Sequence, residues 1–203
     1  MKIICIGRNY VEHARELNNP LPRVPVFFMK QESCIVRNNK PFFYPDFSKN
    51  VHYEVEIVFK IGKVGKKIEK QFASRYYSEV GLGIDFTARD LQENARKEGL
   101  PWEIAKAFDY SAPLSRFIPK KEFQDINNIR FHLDINGKTV QKAGTNDMIF
   151  PIDELISYVS QFITLKTGDI LFTGTPSGVG PVQIGDHLEG YLEERKMLDF
   201  YVK

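Results

Sequence analysis

His52-Tyr53-Glu54-Val55-Glu56 places two carboxylates two residues apart inside a run from Val51 to Phe59 whose odd positions, Val51, Tyr53, Val55, Ile57 and Phe59, are all apolar. That alternation predicts a single β-strand. Glu54 and Glu56 then stand on one face, about 7 Å apart at the backbone, and repel unless they are solvated, protonated or bridged by a cation. A solvated outer face is the plainer alternative, since half-buried strands carry their polar residues outward. A second apolar run, Val80-Gly81-Leu82-Gly83-Ile84, ends in Asp85 just before a helical pattern. Strand ends of this kind combine a rigid scaffold with an open chain end, and ligand groups gather there. Three carboxylates converging at this point would provide the all-oxygen ligation that a hard cation such as Mg²⁺ or Mn²⁺ takes. No Cys/His pair has zinc spacing.

His13 and Glu16 lie three residues apart and can meet on one helix face, where a carboxylate orients an imidazole and raises its basicity. An exposed surface pair is the alternative, because such pairs are common. Arg89 and Gln92 share the same spacing near the start of the helix after Asp85. Leu100 to Asp109 reads as a loop with an unusual mix of Trp102, Lys106 and Phe108; Trp102 serves as well as a core plug and Lys106 as a surface amine. Gly174-Thr175-Pro176-Ser177-Gly178-Val179-Gly180 offers free backbone N–H groups and a hydroxyl to an anion, yet lacks the ending of a phosphate-binding loop, so a plain Gly/Pro turn remains open.

The elements that must position these groups follow from the pattern. Ile3 to Ile6 reads as a short buried strand, Asn9 as the cap of a helix from Tyr10 to Leu17, and Val26 to Lys30 as a strand. Glu32 to Pro41 reads as a hairpin through Asn38-Asn39. Thr87 and Asp90 have capping-box spacing ahead of a helix from Ala88 to Glu98 that Gly99 ends. Asn136-Gly137 predicts a hairpin between two strands, with His132 on its exposed face. Ile152, Leu155, Ile156 and Val159 give a helix with Pro151 in its first turn. Ile170 to Thr173 and two closing strands, Leu188 to Leu192 and Met197 to Val202, complete the series.

With 203 residues, 42% of them apolar, one core can be buried but hardly two, so one domain spanning residues 1–203 is expected. A net charge of +2 without a basic block argues against a nucleic-acid partner. Cys5 and Cys34 sit in apolar surroundings and read as reduced core thiols. The apolar run before Arg8 is too short for a signal peptide and no stretch reaches membrane-spanning length, so a cytoplasmic protein without a membrane partner is expected.

Taken together, Gly7-Arg8-Asn9-Tyr10 with His13 and Glu16, His52-Tyr53-Glu54-Val55-Glu56, Gly83-Ile84-Asp85-Phe86-Thr87-Ala88-Arg89-Asp90, Lys106 and Thr173-Gly174-Thr175-Pro176 resemble the fumarylacetoacetate hydrolase family. The order and spacing cover nearly the whole chain. The likeness is to the short members, the acylpyruvate hydrolases and oxaloacetate decarboxylases. The resemblance implies an α+β, β-rich fold in which a rolled mixed sheet with a few peripheral helices holds Mg²⁺ or Mn²⁺, usually in a homodimer. It implies metal ligation by Glu54, Glu56 and Asp85, water activation by His13 and Glu16, a lysine beside the metal in Lys106, and substrate binding by Arg8, Arg89, Gln92 and Thr175. The further aspartate ligand of longer members has no counterpart near His13, as in other short members.

The activity so implied is metal-dependent cleavage of the C–C bond of acylpyruvates or related β-diketo acids, small 2-oxo acids, with oxaloacetate decarboxylation beside it. One alternative is an isomerase or decarboxylase of unsaturated oxo-diacids from aromatic breakdown, of the 2-hydroxyhepta-2,4-diene-1,7-dioate isomerase or 5-oxopent-3-ene-1,2,5-tricarboxylate decarboxylase type. Another is a binding protein in which the carboxylates hold a structural cation.

Overall fold

The computed structural model describes residues 1–17 and 20–203. Its architecture is α+β and strand-rich, as the sequence leads one to expect. A mixed six-stranded sheet runs in the order Val26–Lys30, Ile3–Gly7, Ile170–Phe172, Val55–Ile61, Tyr77–Ile84, Ile118–Pro119. Only Ile3–Gly7 and Ile170–Phe172 pair in parallel within it. A four-stranded antiparallel sheet, ordered Lys138–Gly144, Arg130–Ile135, His187–Leu192, Arg195–Tyr201, packs across one face. A Cβ placed on Gly190 would lie 2.8 Å from Leu82, a measure of how closely the two sheets approach.

The larger core lies between these sheets, with Ile4, Ile6, Ile57, Phe59, Leu82, Leu133, Leu188 and Leu198 all buried. The opposite face of the six-stranded sheet carries a smaller core of Ile3, Cys5, Val58, Ile170 and Phe172. Central strands covered on both faces read as nearly continuous apolar runs, which is why Ile3 to Ile6 shows no alternation. Both cysteines are free and buried.

Several local expectations change in three dimensions. The two-glutamate run is not one strand: Val51–Tyr53 pairs with Thr87–Ala88 and Gly180–Pro181, the strand is interrupted at Glu54, and Val55–Ile61 continues in the large sheet. Asn9 does not cap the first helix, Val11–Glu16, whose N-cap is Tyr10. Its amide instead donates to the carbonyls of Phe150 and Thr173 and accepts from the Phe150 N–H, a better use of a fully buried amide than one exposed turn. Thr87 and Asp90 form no capping box. Thr87 Oγ1 donates to the Asp85 carbonyl two residues back, and Asp90 accepts from Ser48 and Lys49, so neither side chain closes the box.

Asn38 and Asn39 turn with φ of +60° and +53°, but the flanking Ile35–Val36 pairs in parallel with Ala112–Pro113, so no hairpin forms. Residues Glu103–Lys106 make one helical turn in the segment read as a loop. The Asn136-Gly137 hairpin and the Ile152–Phe162 helix stand as read. His132 is half-buried and stacks on Tyr191 at 4.5 Å instead of lying open.

Candidate active site

The face of the Val55–Ile61 strand that carries Glu56 also carries Val58, a residue of the smaller core, so the glutamates point inward. Glu54, Glu56 and Asp85 are all buried, and the solvated-face alternative falls. Register explains the room. Glu56 pairs with Gly83 across the ladder, and a Cβ on Gly83 would come within 2.4 Å of the Phe172 ring. Asp85 follows directly, tied by its N–H to the Glu54 carbonyl at 2.8 Å. One oxygen from each of the three carboxylates lies within 4.8 Å of the others.

Three cations close on these three anions. Lys106 Nζ donates to Glu54 Oε2 at 2.7 Å and Asp85 Oδ2 at 2.8 Å, and Arg89 Nη2 donates to Glu54 Oε1 at 2.5 Å. Arg89 Nη1 also reaches Gln92 Oε1 at 2.5 Å. Lys30, which sequence reasoning passed over, sits fully buried with Nζ 2.9 Å from Asp85 Oδ1; it also donates to Ser111 Oγ and to the Lys106 carbonyl. Its signal was available in Val26-Phe27-Phe28-Met29-Lys30, where a lysine shares the face of Phe28 two residues on. Gln141 was missed as well. It accepts from Val55 N–H and donates to Thr175 Oγ1 and the Pro176 carbonyl, and nothing in the local pattern marks it.

Buried ion networks of this size seldom stabilise a fold more than apolar side chains of equal volume would, so their presence favours a chemical role. Burial opposes ionisation of Glu54, but Lys106 and Arg89 overcome it and hold the carboxyl below the usual carboxylate range. Burial and the adjacent Asp85 and Glu54 push Glu56 upward, against the Gly174 N–H that donates to it at 2.7 Å. Lys106 loses by burial and gains more from Asp85 and Glu54, so it is held above the ordinary lysine value.

Glu54, Glu56, Asp85, His13, Arg8, Arg89, Gln92, Lys106 and Thr175 all line one cleft. His13 Nδ1 lies 3.3 Å from Glu16 Oε2, and Glu16 accepts in turn from the Gly178 N–H at 3.0 Å. Burial lowers the proton affinity of His13, with Glu54 and Glu16 acting in the opposite direction. The Gly174–Gly180 loop is committed inward: its Gly174 N–H holds Glu56 and the Thr175 hydroxyl donates to the Val55 carbonyl. Trp102 meets Phe28 edge-on at 6.0 Å beside the cleft. Among the described residues a second acidic grouping, His187, Glu189 and Asp199, is already bridged by Lys196 and is remote from the cleft lining.

The donor set fits a divalent cation. It is all oxygen, its three members converge, and a bound cation would offset the burial and the nearby Asp85 and Glu54 charges that raise Glu56.

A family profile for the C-terminal domain of fumarylacetoacetate (FAA) hydrolase matches residues 2–200. The chain is 40% identical over 201 residues to a mitochondrial oxaloacetate tautomerase of Mus musculus, across 99% of this chain and 91% of that one. It is 43% identical over 185 residues to a mitochondrial oxaloacetate decarboxylase of Dictyostelium discoideum, across 91% and 85%. The crystal structure of a fumarylpyruvate hydrolase from Pseudomonas aeruginosa in complex with Mn²⁺ and pyruvate superposes with a TM-score of 0.95 at 36% identity, covering 100% of this chain and 89% of that one. Among the described residues no helix is long and apolar enough to cross a membrane.

Proposed function

The chain belongs to the fumarylacetoacetate hydrolase family and is an enzyme, and from that premise we propose that it is a Mg²⁺- or Mn²⁺-dependent hydrolase of acylpyruvates that also decarboxylates oxaloacetate. The observation that carries this reading is the opening of His13, paired with Glu16, into the same cleft as Glu54, Glu56 and Asp85. Held by those three carboxylates, a divalent cation would fix the carboxylate and 2-oxo oxygens of the substrate and favour negative charge on the 2-oxo oxygen.

The remaining work falls to the chain's own groups. Burial lowers the proton affinity of His13, which favours the unprotonated form that a base needs. Glu16 accepts from the Nδ1 side and leaves Nε2 to take a proton from water. That water attacks the remote carbonyl of the acyl group, the C–C bond to C3 of the pyruvate unit breaks, and the bonding pair moves to the pyruvate unit. Lys106, kept protonated by Asp85 and Glu54, supplies the proton that C3 receives. Arg89 and Gln92 hold the substrate's carboxylate. In oxaloacetate the departing group is CO₂, so Lys106 protonates C3 and no water attacks.

The names of the relatives favour a second reading, keto–enol interconversion of oxaloacetate, which needs a proton carried to and from C3 but no attacking water. Turnover of acetylpyruvate and oxaloacetate, with Mg²⁺ or with chelator, separates the two. The expected result for His13→Ala is loss of acetylpyruvate cleavage by about a hundredfold or more, with oxaloacetate decarboxylation retained. If the native enzyme leaves acetylpyruvate intact with either metal while equilibrating oxaloacetate tautomers, the hydrolase reading fails. A homodimer belongs to the same proposal, and sedimentation equilibrium checks it.

A further inference from the structure

Val55 is the single residue between Glu54 and Glu56, so whatever fixes its backbone fixes the base from which both carboxylates project. The Glu54 carbonyl is taken by the Asp85 N–H, and the N–H and carbonyl of Val55 therefore face the opposite edge, toward the Ile170–Phe172 strand. That strand stops short of Val55. Its last pair is Phe172 with Val58, its last backbone bond runs from the Thr173 N–H to the Ile57 carbonyl at 3.1 Å, and Gly174, with φ of +97°, turns the chain.

Side chains take the place of the missing strand. Gln141 Oε1 accepts the Val55 N–H, Gln141 Nε2 donates to Thr175 Oγ1, and the Thr175 hydroxyl donates to the Val55 carbonyl, each at 2.9 Å. Those three bonds close a ring on one residue of the backbone. Nε2 gives its second hydrogen to the Pro176 carbonyl, again at 2.9 Å. The Val55 N–H can only donate and the Pro176 carbonyl can only accept, so the ring needs one acceptor and two donors on a single planar group. A primary amide supplies that set; an ionised carboxylate has no donor, and lysine and arginine have no acceptor. Val55, Gln141 and Thr175 are all buried, which leaves these bonds without competition from solvent.

The same glutamine seats the loop over residues 174–180. From that loop the Gly174 N–H holds Glu56 at 2.7 Å and the Gly178 N–H holds Glu16 at 3.0 Å. Val140, the neighbour of Gln141, closes on it as well: a Cβ on Gly178 would lie 2.3 Å from the Val140 carbonyl oxygen. The Lys138–Gly144 strand of the four-stranded sheet thus grips the loop at two adjacent residues. Gln141 does not itself line the cleft.

We propose that Gln141 is the positioning residue of the metal site: through Val55 it sets the spacing of the Glu54 and Glu56 carboxylates, and through the loop over residues 174–180 it ties that spacing to the His13–Glu16 pair. This inference rests on the metal-dependent reading above. Groups that orient metal ligands without touching the metal typically govern its affinity by about ten- to a hundredfold.

The test is titration of Mn²⁺ into the metal-free enzyme, with the unbound ion followed by electron paramagnetic resonance, in the native chain and in Gln141→Met, Thr175→Val, the double variant, Glu56→Gln and Ser160→Ala. Ser160 Oγ accepts the buried Ile68 N–H outside the cleft lining, so Ser160→Ala is a matched loss of a buried acceptor away from the site. The Kd for Mn²⁺ should rise about tenfold or more in Gln141→Met. Thr175→Val should also weaken binding, and the double variant should be about as weak as the weaker single one, because a ring opened at one corner is already open. Ser160→Ala should lower Tm and leave the Kd unchanged. An unchanged Kd in Gln141→Met overturns the inference, and so does an equal loss in Ser160→Ala, which would make the effect a general loosening. If Gln141→Met does not fold, Thr175→Val decides by the same criterion. The metal reading fails in a different way: a native enzyme that binds no Mn²⁺, or binds it as tightly after Glu56→Gln, does not hold the cation at these carboxylates, and this inference falls with it.

Discussion

At the scale of single residues, His13 and Asn9 show how burial converts an ordinary side chain into a specific one. Burial lowers the proton affinity of His13 and Glu16 raises it. A base acts in its unprotonated form, so the acid limb of kcat/KM should lie below about pH 6.5, the ordinary histidine value. Glu16→Gln removes a raising influence and should move that limb to lower pH while reducing kcat; a limb displaced upward would exclude His13 as the titrating base. Asn9 saturates its amide on Phe150 and Thr173. Asn9→Ala leaves a buried N–H and two carbonyls without it, a destabilisation of about 2–4 kcal/mol that thermal unfolding would report as a drop of several degrees.

At the scale of elements, the site depends on a glycine in a strand where glycine is otherwise a poor choice. Gly83 faces Glu56 across the ladder, and the ring of Phe172, from two strands away in the same sheet, fills the space a side chain would need. Gly83→Ala forces that ring aside and should cost about 1–3 kcal/mol by overpacking, read as a lowered Tm with Phe172→Leu as a partial rescue. No rescue by the smaller residue would show that the contact is not the cause. The hairpin at Asn136-Gly137 and the Ile152–Phe162 helix were legible because turn chemistry and the 3.6-residue period are properties of a few adjacent residues. The expected caps at Asn9 and Thr87 were not, because a side chain able to cap is equally able to bond other backbone: Asn9 reaches the distant Phe150 and Thr173, and Thr87 turns back to the Asp85 carbonyl.

At the scale of the whole molecule, three carboxylates and three cations buried together couple stability to pH and to metal. Glu56 is raised in the fold, so its contribution is fully present below the unfolded value of about 4.3 and is lost as pH climbs through its raised folded value. Glu54 is depressed, so its contribution is present above about 4.3 and is lost only as pH falls through its lowered value. In chelator, Tm should therefore decline from mildly acidic pH toward neutrality on account of Glu56. Mg²⁺ or Mn²⁺ should restore more stability at pH 7.5 than at pH 5, about 2–4 kcal/mol at saturating metal, because a cation binds the deprotonated carboxylate. Equal stabilisation at both pH values would place the cation elsewhere.

The chain's sequence by itself determined the Asn-Gly turn, the amphipathic helix, and the order of motifs that marks the family, because period, propensity and motif spacing are written in neighbouring residues. Only the tertiary structure decided that the glutamate face turns inward, since that depends on a second apolar layer closing over Val58 and Phe172. It alone recruited Lys30 and Gln141, and it alone brought Lys106 to Glu54 and Asn9 to Thr173, residues 52 and 164 positions apart. A buried charge or amide is tolerable only with partners in place, and those partners come from segments whose meeting no local pattern records.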